Sequence, residues 1–170
     1  MKNKVTLIGL VGLKQSGKDT ACNFIGNFSK QPVIRRAFAD ALKKEVSEAC
    51  GVQLHEVEDN KELFRPMLQW WGTEFRRGLF GKNYWLKRMP EPNPAFLTVI
   101  TDVRFEDEAQ WVRDRGGLLV RVVRPMQLND DTHRSESEQA EILTDEMLLN
   151  RGGLPEFMHE IQVFMEEDVL

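Results

Sequence analysis

Cysteine is scarce in this chain of 170 residues, with Cys22 and Cys50 the only two. They lie far apart and have no partners at metal-ligand spacing, which points to buried, reduced thiols in a cytosolic protein. Long apolar runs are also missing. The first, Val5 to Val11, is too short to span a membrane and lacks the long apolar region and cleavage site of a signal peptide. The expectation is a soluble, intracellular protein. A basic excess is absent too: 23 Lys and Arg stand against 27 Asp and Glu, for a net charge of −4. That argues against a protein built to grip a nucleic-acid polymer, and leaves room for a local basic pocket that takes a small phosphorylated ligand. There is no internal repeat and no low-complexity tract. What is present is ordinary: 41% hydrophobic, 29% charged and 9% aromatic residues, enough for one domain with a proper core.

Val5-Thr-Leu-Ile-Gly-Leu-Val11 is a near-continuous apolar run, the pattern of a strand buried on both faces of a parallel sheet. A glycine loop follows, then a helix from about Lys18 to Phe28. Val33 to Phe38 reads as a short strand, and Asp40 caps a helix that Gly51 stops. From Gln53 to Pro94 no strand is expected. Pro66 suits the first turn of a helix, and Met67, Leu68, Trp71, Phe75 and Leu79 recur at helical spacing. Phe96 to Thr101 is a second buried strand, ending at Asp102. A helix over 105–115, a strand over 118–123, a polar loop over 124–133, a helix from Ser135 to Leu143, a short strand over 147–149 and a closing helix over 155–167 complete the chain. Alternating strands and helices predict an α/β fold with a parallel sheet covered on both faces. Ligands in such folds sit beyond the C-terminal ends of the strands, where the glycine loop and Asp102 should meet.

Gly12-Leu-Lys-Gln-Ser-Gly-Lys-Asp-Thr20 has the glycines and lysine of a phosphate loop between a strand and a helix. The glycines let backbone N–H groups converge on phosphate oxygens, and the helix N-terminus adds partial positive charge. Lys18 is expected to bridge the β- and γ-phosphates. Asp19 stands where a Ser or Thr usually holds Mg²⁺. Beside a triphosphate a carboxylate is repulsive unless a cation lies between, so Asp19 reads as a metal-side residue with the Thr20 hydroxyl nearby; the plainer reading makes it a helix cap. Asp102, at the end of an apolar strand, has the form of a second Mg²⁺-holding carboxylate. Arg104 can neutralise phosphate charge or pair with Glu108, four residues on.

Several stretches together resemble the deoxynucleoside monophosphate kinases found mainly in bacteriophages. They are Lys14-Gln-Ser-Gly-Lys-Asp-Thr20, Phe38-Ala-Asp-Ala-Leu-Lys43, Leu68-Gln-Trp-Trp-Gly-Thr-Glu74 with Arg77, Thr101-Asp-Val-Arg-Phe105 with Glu108, Asp131-Thr-His-Arg-Ser-Glu136, and Leu149-Asn-Arg-Gly-Gly-Leu154. The chain differs from the common pattern in Ala41, where a proline is frequent, and in its paired tryptophans. The resemblance implies a three-layer P-loop kinase fold with a five-stranded parallel sheet. The core would be 1–52 and 95–170, the helical acceptor-binding insertion about 53–94 and the lid about 125–144. It implies Mg²⁺-dependent transfer of the ATP γ-phosphate to a deoxynucleoside monophosphate, in the host cytoplasm if the source is viral; the sequence leaves the oligomeric state open, a homodimer included.

Residues follow from that frame. The donor side is Gly12, Lys14, Ser16, Gly17, Lys18, Asp19 and Thr20, covered by Arg124. Asp19, Thr20 and Asp102 are the metal candidates. Lys18, Asp19, Arg104 and Arg134 are the catalytic candidates, with His133 a lid hydrogen bonder. On the acceptor side, Lys43, Arg65 and Arg77 suit the monophosphate. Gln69, Thr73 and Glu74 suit base or sugar, and Glu108 is a further substrate-binding candidate. Trp70 suits stacking on the base, Trp71 suits core packing, and Arg76 reads as a solvated charge. Two other functions remain on the sequence alone: a P-loop kinase of another small acceptor, where a hydroxyl would need Asp19 or Asp102 as base, and a nucleotide-binding module without catalysis.

Overall fold

The computed structural model describes residues 4–125 and 137–169. In chain order its elements are β1 (Leu7–Val11), α1 (Lys18–Phe28), β2 (Val33–Arg36), α2 (Ala39–Cys50), α3 (Leu54–Asp59), α4 (Lys61–Gln69), a π-helix (Trp70–Arg77), the single turn α5 (Gly78–Phe80), a 3₁₀ turn (Leu86–Arg88), β3 (Leu97–Val103), α6 (Glu106–Arg113), β4 (Leu118–Val123), a 3₁₀ turn (Glu138–Glu141), β5 (Glu146–Leu149), α7 (Leu154–Phe164) and a terminal π turn (Met165–Val169). The chain divides into two compact units, Met1–Arg36 with Glu91–Leu170, and Ala37–Pro90. The sequence reading placed α2 with the core; it groups with the second unit.

The first unit is a five-stranded sheet in the order β2-β3-β1-β4-β5, with every neighbouring pair parallel. All five residues of β1 are buried, as its unbroken apolar run requires of a central strand. Ile8 and Leu10 join Ala21 and Ile25 of α1 and Phe157 and Ile161 of α7 in one core cluster. The residue between them, Gly9, faces Val112 of α6. Alternation along the strand therefore puts α1 and α7 on one face and α6 on the other, which makes three layers.

The β1–β3 ladder carries an irregularity. Gly9 pairs with Ile100 but Val11 pairs with Val103, so β3 spends one residue more than β1 over that interval. The surplus falls at Thr101-Asp102. Bulges of this kind re-aim side chains and are over-represented beside active sites. β3 therefore runs through Asp102 to Val103 rather than stopping before it.

In the second unit, Pro66 lies inside α4 rather than in its first turn, because the helix starts at Lys61. A proline there removes one i→i−4 bond, and the ladder widens to π geometry from Trp70. The stripe expected to face a core is consequently split. Met67 and Leu79 are exposed, and Gly72, Thr73 and Arg77 are the buried residues of the π-helix. Trp71 is half-buried, as expected of a packing residue. Of the helix expected over Ser135 to Leu143, the described part forms only the 3₁₀ turn, since Gln139 and Ile142 are buried while Leu143 is 82% exposed. A three-residue spacing suits a 3₁₀ turn rather than a longer helix.

Candidate functional site

The glycine loop leaves the end of β1 and turns into α1 through three left-handed residues, Gly12, Gln15 and Gly17. Contacts disfavour a side chain at two of these as well, against backbone at Gly12 and against a side-chain amide at Gly17. A Cβ on Gly12 would stand 2.4 Å from the Val122 carbonyl oxygen, and one on Gly17 would stand 2.7 Å from the Asn150 amide nitrogen. The Asn150 side-chain amide donates to the Ser16 carbonyl at 3.0 Å, which fastens the loop to the turn after β5. Lys18 reaches back over the loop and donates to the carbonyls of Gly12 and Leu13 at 2.6 and 2.7 Å. The Ser16 hydroxyl is 1% exposed and has no hydrogen-bond partner among the described residues. A buried hydroxyl without a partner costs free energy on the order of 1–3 kcal/mol. Its position in a cradle closed to any Cβ, at the N-terminus of an eleven-residue helix, fits a phosphate that would accept from it.

Asp19 lies in the first turn of α1, its carboxylate 3.6 Å from the Arg35 guanidinium of β2. Both side chains are well exposed, so the pair contributes at most about 1 kcal/mol and yields easily to a stronger partner. Among the described residues no three His, Cys, Asp or Glu side chains cluster as a metal cage. The Asp19 and Asp102 carboxylates are of the donor type that Mg²⁺ takes, one or two of them with phosphate and water rather than an all-protein cage. One turn along α1, burial pushes the Cys22 thiol up to about 11, with Arg35 opposing the rise and Asp19 adding to it. The thiol stays protonated and packs as an apolar group.

The structure places the other candidates as follows. Asp102 is half-buried in the widened part of β3, and Arg104 follows it, also half-buried. Glu108 is 3% exposed. Its Oε2 accepts from the backbone N–H of Arg104 at 2.8 Å and of Phe105 at 3.2 Å, which closes the first turn of α6. Arg124 is exposed after β4. Arg134 and His133 lie outside the described residues. Arg121, which the sequence reading passed over, donates from its guanidinium to the Gln139 and Ile142 carbonyls. It ties the described end of the expected lid to β4, and burial lowers its affinity for the proton.

On the second unit, Lys43 pairs with Glu58 at 3.3 Å and Asp40 at 3.9 Å, and Arg65 with Glu62 at 3.5 Å. Gln69 is half-buried, Thr73 buried and Glu74 exposed. Trp70 is 51% exposed and stacks in parallel on Phe75, ring centroids 5.3 Å apart. Arg77 is buried and donates to the Lys82 carbonyl. Arg76 is not the solvated charge that was expected. Its Nε donates to Glu45 Oε2 at 2.7 Å, and its guanidinium lies 4.8–5.5 Å from the rings of Phe75, Tyr84, Phe80 and Trp71. Glu45 also accepts from Trp71 Nε1 and the Tyr84 hydroxyl and pairs with Arg88. Partial burial raises the Glu45 carboxyl pKa, but the hydrogen bonds from Tyr84, Trp71 and Arg76 and the charge of Arg76 outweigh it and hold the group below its usual range. No spacing rule reveals this hub, because Glu45 draws its partners from positions 71, 76, 84 and 88.

The arrangement can bind a polyphosphate at the loop of the first unit and can present aromatic faces and cations on the second. No helix among the described residues is long and apolar enough to cross a membrane. The deoxynucleotide monophosphate kinase family matches residues 52–161. A protein of Acanthamoeba polyphaga mimivirus named as a deoxynucleotide monophosphate kinase is 33% identical, over 92% of this chain and 94% of its own length. The deoxynucleotide monophosphate kinase of Enterobacteria phage T4 is 27% identical, over 74% of this chain and 56% of its own. Among solved structures, a shikimate kinase from Aquifex aeolicus is 18% identical with a TM-score of 0.49, covering 96% of this chain and 98% of that one.

Proposed function

The chain belongs to the deoxynucleotide monophosphate kinase family, and we propose from that premise that it transfers the γ-phosphate of ATP to a deoxynucleoside monophosphate, giving the diphosphate and ADP. The observation that carries the donor side is the loop itself: two glycines whose positive φ and close neighbours disfavour a side chain, a lysine over the loop, and a buried Ser16 hydroxyl awaiting an acceptor. Backbone N–H groups of residues 13–18 and the start of α1 hold the β- and γ-phosphates. Lys18 leaves the Gly12 and Leu13 carbonyls for phosphate oxygens and offsets the negative charge that spreads over the transferring group. Lys14, Arg104 and Arg124 add positive charge around it. Asp19, Thr20 and Asp102 would hold Mg²⁺, which when bound supplies further charge neutralisation.

In the reaction an oxygen of the acceptor's phosphate bonds to the γ-phosphorus as the bond to the ADP oxygen breaks. A phosphate monoester already carries about −1.5 to −2 charge at pH 7, so no proton has to be removed. Asp19 is thereby released from any duty as a base, and its carboxylate serves the cation. The unit Ala37–Pro90 carries the acceptor, with the exposed Trp70 face for the base and Lys43, Arg65, Gln69, Thr73 and Glu74 as its polar contacts.

The test is a panel of deoxy- and ribonucleoside monophosphates incubated with ATP and Mg²⁺, following ADP release. At least one deoxynucleoside monophosphate should accelerate release well above the acceptor-free rate, and no acceleration with any of them refutes the reading. In the same assay Asp19→Asn should shift the Mg²⁺ titration to higher concentration while leaving the acceptor KM near its original value. An unchanged Mg²⁺ titration would leave Asp19 a helix cap.

A further inference from the structure

The second unit holds an arginine fixed at one end and open at the other. Arg76 Nε is bound to Glu45 at 2.7 Å, and four aromatic rings fence the guanidinium plane. Among the described residues its hydrogen bonds end there. Its terminal nitrogens donate to no neighbour's oxygen among the described residues, and 22% of the side-chain surface is exposed. The Glu45 carboxylate is shared with a second arginine, Arg88, which lies 3.6 Å over the Tyr84 ring. One negative charge thus serves two positive ones, and the cluster keeps a net positive charge. An arginine anchored through Nε and stacked on rings has already given up most of its rotamer freedom, so it binds an anion with little further ordering cost. Planar Nη1 and Nη2 donors match two oxygens of a phosphate. Arg77, the phosphate residue implied by family resemblance, is 8% exposed and spends Nη1 on the Lys82 carbonyl.

We propose that Arg76 is the fork that takes the acceptor's monophosphate, and that Glu45 is the residue that positions it. This rests on the acceptor being a phosphate monoester carried by the Ala37–Pro90 unit. Trp70 stacks on Phe75, next in sequence to Arg76, so an aromatic face and an anion fork are offered within one π-helix. A nucleoside monophosphate presents the matching pair, a flat base and a dianion.

Three variants test it: Arg76→Lys, which keeps the charge and the stem but loses the fork, Glu45→Gln, and Arg77→Lys as comparator. The readouts are kcat and both KM values with the deoxynucleoside monophosphate turned over fastest. Titration of inorganic phosphate against tryptophan fluorescence without ATP, and Tm, are measured alongside. Arg76→Lys should raise the acceptor KM about 10- to 100-fold, with the ATP KM unchanged and phosphate binding weakened in parallel. Glu45→Gln should move the same two readouts by a smaller factor, and Arg77→Lys should leave phosphate binding alone. An acceptor KM within twofold of wild type in a folded Arg76→Lys overturns the proposal, as does an effect confined to Arg77→Lys. Should Arg76→Lys fail to fold, the proposal stands or falls on whether Glu45→Gln weakens phosphate binding. Failure of the kinase reading is distinguishable: wild type then turns over no monophosphate, while the phosphate titration of the variants still reports on the fork.

Discussion

Lys18→Ala is expected to lower kcat by about 10²- to 10³-fold, the range seen when one preorganised charge-stabilising donor is removed, while Tm stays within a few degrees of wild type. The two halves of that expectation rest on different observations. Lys18 is half-buried, and its ammonium donates to the Gly12 and Leu13 carbonyls of its own loop. The apolar side of α1, from Ala21 through Cys22 to Ile25, holds the helix in the core without it. The catalytic half follows from the reaction. Phosphoryl transfer leaves the protein little covalent work, so a charge placed on the transferring group accounts for much of the acceleration. Steady-state kinetics with ATP, ADP binding and a melting curve check the result. A variant within threefold of wild type would mean that the loop does not handle the transferred phosphate.

Gly12→Ala should damage both stability and nucleotide binding. The new Cβ would lie 2.4 Å from the Val122 carbonyl oxygen and 2.8 Å from Ser16 Oγ. A flexible side chain could give way, but the Val122 carbonyl belongs to β4 and is held in the ladder. The loop must therefore move off the sheet, and an alanine at a positive φ adds its own strain. A cost of about 1–3 kcal/mol corresponds to a Tm loss of roughly 2–10 °C for a chain of this size. Nucleotide affinity should fall by more than stability does, because the displaced N–H groups are those that face the phosphates. Thermal melts with and without ADP separate the two effects. Loss of the ADP-induced rise in Tm is the expected signature, and an unchanged rise would show that the loop tolerates a side chain at its first glycine.

Much of the first unit was legible in the sequence, for physical reasons that differ by element. β1 could be read because a central parallel strand must be apolar on both faces, and Val5–Val11 shows that without a break. The phosphate loop could be read because its two glycines answer to contacts close in space and its lysine to a fixed spacing from them. Gly51 was legible as a helix stop, and it adopts the left-handed conformation expected there. The second unit was harder. Its helices bury little on their own, α4 having no buried residue at all, so hydrophobic spacing had no core to report. The widening to a π-helix at Trp70 breaks the 3.6-residue rule on which that spacing rests. Arg76 was misjudged for a related reason. Adjacent arginines on a helix point apart, but which one finds a carboxylate depends on Glu45, a full helix earlier in the chain. The Arg35–Asp19 pair and the amide of Asn150 against Ser16 were hidden in the same way, each being a meeting of distant segments.

The surplus residue in β3 bears on how the site tolerates changes in chain length. Between their paired ends, β1 uses Gly9, Leu10 and Val11, and β3 uses Ile100, Thr101, Asp102 and Val103. The sheet on either side is already in register, so the slack is confined to the stretch that contains the carboxylate. A deletion there would straighten the ladder and keep a sound sheet with Val103 still opposite Val11, yet it would either remove Asp102 or move it into a regular position opposite Leu10. An otherwise unharmed homologue shortened by one residue at this point would thus be a folded protein whose acidic group is lost or no longer aimed by the irregular stretch. Chain length between Ile100 and Val103 is, in that sense, as much a part of the site as the aspartate is.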